Sequence, residues 1–251
     1  QLQQLTKITE GIFAPWAFYK KDFQEIGGHD PLYAPQSKED TDIFNRFQLN
    51  GIKFKQTWGG CVYHMTCRGS RFADGAQRNP DGQVFMKNRE TDEWLKQNER
   101  STRNFIRKWG HFCKHDSLMK PIIPPKYDIG FIMKENNIDI LRALEPWGNN
   151  IYCDSNLGKH YISIEQADTI IDLSERVKSF NGEKTNDIQI KINGALFNQQ
   201  DYAYIQNLSE ILTDSGDIGT FKIGNLEITI NSMETYENNL IINKKQEKNH
   251  G

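Results

Sequence analysis

Between Tyr127 and Ile230 the chain alternates strand-like and helix-like hydrophobic periods, and few architectures accept that pattern. Tyr127 to Met133 is an apolar run of strand length. Ile138 to Leu144 has helical spacing and stops near Pro146 and Gly148. Ile164 to Phe180 places Ile164, Ala167, Ile170, Ile171, Leu173 and Val177 at spacings that predict a longer helix. Asp187 to Ile192 alternates as a half-buried strand does. Gln199 to Leu212 predicts a further helix, and Thr220 to Ile230 a hairpin turning at Gly224-Asn225. A small sheet with helices on one face buries all of these segments, so residues 121–232 are expected to form a small α/β domain. That stretch carries no metal-ligand motif, nucleophile elbow or phosphate loop.

Pro121, Pro124 and Pro125 separate this region from what precedes it. Residues 73–120 read as a basic helical extension. A helix is expected from Thr91 to Lys108, and its many cations read as a solvated face. Residues 1–72 are rich in aromatics and glycines. Gly11 to Tyr19 suits a strand interrupted at Pro15. Lys20 to Ile26 predicts a helical turn ending at Gly27-Gly28. Ser37-x-x-Asp40 resembles an N-cap, and a helix follows to about Asn50, with Gly51 past its end. Ile43 and Phe47 share a face that must meet a core. Ile52–Thr57 and Cys61–His64 read as strands, and residues 233–251 as a disordered tail around a short strand at Leu240–Ile242.

Composition narrows the function classes. With 37% hydrophobic and 25% charged residues the chain can build a core. A net charge of -2 gives no general footing for nucleic acid. No apolar run reaches the roughly 18 residues of a membrane helix. The start, Gln1-Leu2-Gln3-Gln4, has no signal-peptide pattern. Four cysteines are few for a secreted scaffold, so Cys61, Cys67, Cys113 and Cys153 are expected to be reduced thiols in a cytoplasmic protein. Cys61-x2-His64-x2-Cys67 and His111-x-Cys113-x-His115 hold zinc-type ligands, but their spacing departs from paired knuckles. Small buried thiols and scattered histidines are the simpler reading.

The chemistry concentrates between Phe13 and Phe72. Phe23-Gln24-Glu25-Ile26-Gly27-Gly28-His29-Asp30 is followed by Lys38-Glu39-Asp40-Thr41-Asp42-Ile43-Phe44-Asn45-Arg46. Gly51-Ile52-Lys53 and Val62-Tyr63-His64 complete the series. In this order the residues resemble the C-terminal half of family 2 glycosyltransferases of the GT-A type, and the related galactosyltransferase C-terminal module. The resemblance covers the first quarter to third of the chain and ends near residue 72. It implies the C-terminal part of a GT-A (Rossmann-like) fold, followed by the small α/β domain. It also implies transfer of a sugar from a nucleotide-diphosphate donor to an acceptor hydroxyl, with inversion.

By that resemblance Asp40 is the catalytic base, Glu39 contacts or orients the acceptor, and His64 is a metal ligand. Such transfer needs a base for the hydroxyl and positive charge for the departing diphosphate, which a divalent Mn or Mg supplies. Each residue also has a plain structural reading. Glu39 and Asp40 at a helix start stabilise its dipole. His64 can be an ordinary strand-end histidine. Gly27 and Gly28 allow close backbone approach to a sugar, or simply a turn. Trp16 and Trp58 could stack on a sugar or on a core. Arg68 and Arg71 could meet the diphosphate or water. Asp40-Thr41-Asp42 is not the family's metal-binding DxD, because it begins a helix downstream of the glycine turn. His29 stands where the family usually has Phe. No other DxD occurs, so the nucleotide-binding half is expected to lie outside this sequence. The alternative is a glycan- or partner-binding module without catalysis.

Overall fold

The structure is a computed structural model that describes residues 15–55, 77–78, 84–85, 92–116 and 120–236. Three short elements open it: α1 (Lys20–Glu25), a 3-10 turn at Pro31–Tyr33, and α2 (Glu39–Leu49). A two-residue ladder pairs β1 (Gln77–Arg78) with β2 (Val84–Phe85). The long α3 (Asp92–Trp109) follows. Then come β3 (Ile129–Met133), α4 (Ile138–Leu144), β4 (Asn150–Cys153) and α5 (Ser155–Glu165). The chain continues through β5 (Val177–Ser179), β6 (Ile188–Ile192), α6 (Gln199–Gln206) and α7 (Leu208–Ser215). It closes with the hairpin β7 (Gly219–Ile223) and β8 (Leu226–Ile230).

The main sheet has six strands in the order β5-β4-β3-β6-β8-β7. β5, β4, β3 and β6 run parallel, and β8 and β7 join antiparallel. Register places Phe131 beside Ile151 and Ile190, and Ile190 beside Ile228. These residues share a face and form one core with Leu141, Leu144, Leu157, Tyr161, Ile205, Leu208 and Leu212 from the helices. The helices therefore cover one face, as the alternating pattern predicts. The other face is polar over β6, β8 and β7, where Lys191 pairs with Glu227 at 2.7 Å and Thr220 with Thr229 at 3.1 Å, and buries Ile132 and Tyr152 at β3 and β4. At its β3 end Gly130 makes room for Asn186, which accepts from Tyr152 Oη and donates to Asp128 and Asn150.

Several expectations shift. The helix expected over 164–180 is α5, ending at Glu165, then two 3-10 turns and β5. Asp154 caps α5 through its side chain, and Asp172 caps the second 3-10 turn. Ile164 and Ile170 are exposed, so the apolar spacing there was not a buried face. The single helix over 199–212 is two, parted at Asn207. Residues 16–19 form no strand: Pro15 lacks a ladder donor, and the Trp16 and Phe18 rings pack on Phe44 and Phe47. Ile52–Lys55 likewise has no strand assignment, and Phe54 stacks on Phe44. Thr57, Cys61–His64 and Leu240–Ile242 lie outside the described residues.

The helix α3 spans nearly the expected range, but its cations are only partly solvated: Lys96 is exposed, whereas those of the last turn are not. Arg107 and Lys108 are buried, with Ser101 and Asn104. Adjacent helical positions point about 100° apart, so the two cations reach opposite sides. Arg107 meets Glu145 at 2.7 Å and Glu165 at 2.7 Å, beside the sheet. Lys108 meets Asp30 at 2.9 Å and Asp42 at 2.5 Å, beside α2. Lys126 Nζ donates to the Arg107 and Lys108 carbonyls and so satisfies the helix C-terminus.

Candidate functional site

The glycine turn and the start of α2 are built as one unit. α1 ends at Ile26, where the Gly27 and Gly28 amides donate back to the Gln24 and Phe23 carbonyls. Both glycines have positive φ, +82 and +69, which favours glycine at each position. Arg46, about two turns into α2, donates from Nη1 to the Ile26 carbonyl at 2.6 Å and from Nε to Asp42 at 2.8 Å. The turn is thereby tied to α2. His29 continues from it, edge-on to Phe23 at 5.2 Å between ring centroids.

Asp40 sits in the first turn of α2, half-buried. Burial raises its carboxyl above the usual range, and the charge of His29 opposes that rise. Glu39 is its neighbour at the helix start. Ser37 is not the N-cap: the cap position is Lys38, without a side-chain cap bond. Ser37 and Lys38 both have positive φ, 79 and 74, a costly conformation for residues with a Cβ. The preceding loop is clamped by α3. Gln97 and Ser101 both donate to the Gln36 carbonyl at 2.9 Å, Arg100 to the Ala34 carbonyl at 2.7 Å, and Ser37 Oγ to Asn98 at 2.9 Å. Strained backbone held by four side chains stands immediately before Glu39-Asp40.

Below this surface lies a carboxylate hub. Asp42 is fully buried and accepts from Tyr33 Oη, Arg46 Nε, Lys108 Nζ and Trp109 Nε1. Asp30 shares Lys108 and accepts the Leu32 amide at 3.1 Å. Burial and the two acids push the Tyr33 phenol well above its ordinary value. The sequence shows Asp42 only within the acidic start of α2 and Asp30 only at the end of the glycine-turn motif. Their partners Lys108 and Trp109 come 66 and 67 residues after Asp42, so no local spacing announces them.

Of the expected site residues, Gly27, Gly28, Glu39 and Asp40 are described, and the Gly27-Gly28 turn and the acid pair belong to the same clamped unit. His64 and Arg71 lie outside the described residues, with Trp58, Cys61, Cys67 and Arg68. Trp16 packs on Phe18 and Phe44 within an aromatic cluster around Ile43 and Phe47. Among the described residues no three His, Cys, Asp or Glu side chains gather where a metal ion could be held. No described helix is long and apolar enough to cross a membrane. Comparison with protein-family models, curated proteins and solved structures finds no match.

Proposed function

We propose that the chain supplies the acceptor-side half of an inverting GT-A type glycosyltransferase. The observation that carries this reading is the clamped unit that joins the Gly27-Gly28 turn to Glu39-Asp40 through Arg46 and the Ile26 carbonyl. Asp40 takes the proton from the acceptor hydroxyl as that oxygen attacks the donor sugar. A carboxylate made more basic by burial suits that task. Glu39 orients the acceptor from the adjacent position. The side-chain-free turn at Gly27-Gly28 lets a sugar approach the backbone.

A divalent Mn or Mg, when bound, would offset the charge of the departing diphosphate. His64 is the residue the resemblance gives to it, and Arg71, with Arg68 before it, follows His64 in sequence as a cation for the diphosphate. Neither is among the described residues, and among the described residues no three His, Cys, Asp or Glu gather as ligands.

The test is Asp40→Asn in enzyme that includes the nucleotide-binding half, in one chain or supplied in complement. Loss of a general base lowers transfer by about 10²- to 10⁴-fold. The affinity for the nucleotide sugar is expected to stay the same. Transfer at the wild-type rate would overturn the assignment of Asp40.

A further inference from the structure

The sheet body contains a second place where chemistry gathers, independent of the Asp40 reading. β3, β4 and β5 step to one side, and β6 returns on the other side of β3. The strand order therefore reverses between β3 and β6. In open parallel sheets, ligands enter beyond the carboxyl ends of the strands at such a reversal. A crevice of about 150 Å³ opens at the carboxyl ends of β3, β4 and β5, on the β4 side of that reversal, lined by Lys134, Cys153, Asp154, Ser155, Ser179, Phe180 and Asn181.

Its walls are organised. Ser155 Oγ donates to Ser179 Oγ at 3.2 Å across the gap between β4 and β5. Lys184 Nζ donates to the Phe180 and Gly182 carbonyls and so stiffens the loop that carries Phe180 and Asn181. Gly158 lets α5 pack closely, since a Cβ there would lie 2.9 Å from Val177. Asp154 spends Oδ1 on the Asn156 and Leu157 amides, at 2.9 and 3.1 Å. Its second oxygen is on the exposed residue at the mouth. At the same end of the sheet Glu135 Oε2 is buried without a hydrogen-bond partner, and Gly194 packs against that side chain.

We propose that this crevice binds the ribose of a ribonucleotide, with Asp154 accepting the vicinal hydroxyls and Lys134 facing the phosphate. The size is too small for a drug-sized ligand, whose pockets run to about 300 Å³ or more, and suits one sugar ring with the base and phosphate outside. An acid at the end of the second parallel strand, about 20 residues past the first strand, is where such folds place the acceptor for ribose hydroxyls. The Lys134–Asn137 connection has no glycine, so phosphate contact falls to the Lys134 charge rather than to a backbone cradle.

Amide chemical shifts of the full chain, titrated with uridine or adenosine 5′-monophosphate, test this. Shifts confined to Cys153–Asn181 and Lys134 are expected. Asp154→Asn keeps the helix cap, because Asn caps as well as Asp, yet removes the charged acceptor. It is expected to weaken binding by about 10- to 100-fold. The 2′,3′-dideoxynucleotide should bind the wild type as weakly and lose nothing further in the variant. Equal binding of ribo- and dideoxynucleotide, or no shifts in the crevice at millimolar nucleotide, would overturn the proposal. So would free ribose or methyl galactoside binding as tightly as the nucleotides, since the ligand would then be a glycan. Shifts at Gly27–Asp40 bear on the Asp40 reading alone.

Discussion

His111 is nearly inaccessible to solvent, edge-on to Phe105 and tilted against Trp109. Its Nδ1 lies 2.5 Å from the Phe112 carbonyl, and Nε2 is buried without a partner. Burial therefore favours the neutral ring and lowers its pKa from 6.5 to about 4. Lys114 and Lys126 push the same way, while Glu210 and the Phe112 carbonyl oppose them. Between those two pH values the unfolded chain binds the proton and the folded one does not. Stability contributed by the neutral ring is thus present above pH 6.5 and is lost as pH falls towards 4. The loss is about 3 kcal/mol at 1.36 kcal/mol per pKa unit. Urea unfolding of wild type and His111→Phe at several pH values measures it. The difference between the two proteins should shrink or reverse as the solution is acidified, and parallel curves would contradict the buried neutral ring. The sequence showed His111 only as part of a doubtful ligand trio. Nothing local reveals that Phe105 and Trp109 will fold over it, although all three share one short stretch.

At the scale of elements, α3 separates what was legible from what was not. Its extent was legible, expected at Thr91–Lys108 and found at Asp92–Trp109, because helix formers and periodic aromatics are local signals. The fate of its cations was not, because Glu145 lies 38 residues beyond Arg107 and Glu165 lies 58 beyond. Glu145 also takes Arg176 and Tyr161, and the two guanidinium groups hold its carboxyl well below the usual range despite burial. Arg107 is fully buried and bonded to both acids, so removing it breaks a buried ion-pair network, at a cost of about 3–5 kcal/mol. Arg107→Met is expected to lower unfolding free energy in denaturant by that amount. Lys96→Met, at an exposed position on the same helix, should stay within about 0.5 kcal/mol. Equal costs for the two variants would return α3 to a solvated role. The same distinction explains the misread helix over 164–180. Spacing alone cannot tell the exposed Ile164 and Ile170 from the buried Leu157 and Tyr161. The Asp154-Ser155 and Asp172 caps carried the boundary information.

For the whole molecule, the question is how the clamped unit around Asp40 holds to the sheet. The described apolar residues form three clusters: one on the sheet, one around Leu32, Tyr33, Phe105 and Trp109, and one around Ile26, Ile43 and Phe47. The C-terminal half of α3 touches the first two, through Ile106 and through Phe105 and Trp109. The third contains only residues before Lys55, and Lys108 is the cation that joins Asp30 and Asp42 beside it. Lys108→Met keeps the length of the side chain over the Tyr33 and Trp109 rings but removes the ammonium. Asp30 and Asp42 then lose the ammonium they share, while Arg46 stays on Asp42, so a carboxylate must take up a proton or the unit must open. Amide hydrogen exchange reads which region responds. Protection in α2 should fall by about 100-fold, corresponding to roughly 3 kcal/mol, while β3 and β6 keep theirs. A matching fall in β6 would mean that α2 and the sheet open only together, and that Lys108 fastens the molecule as one unit rather than the Asp40 region to a body that stands without it.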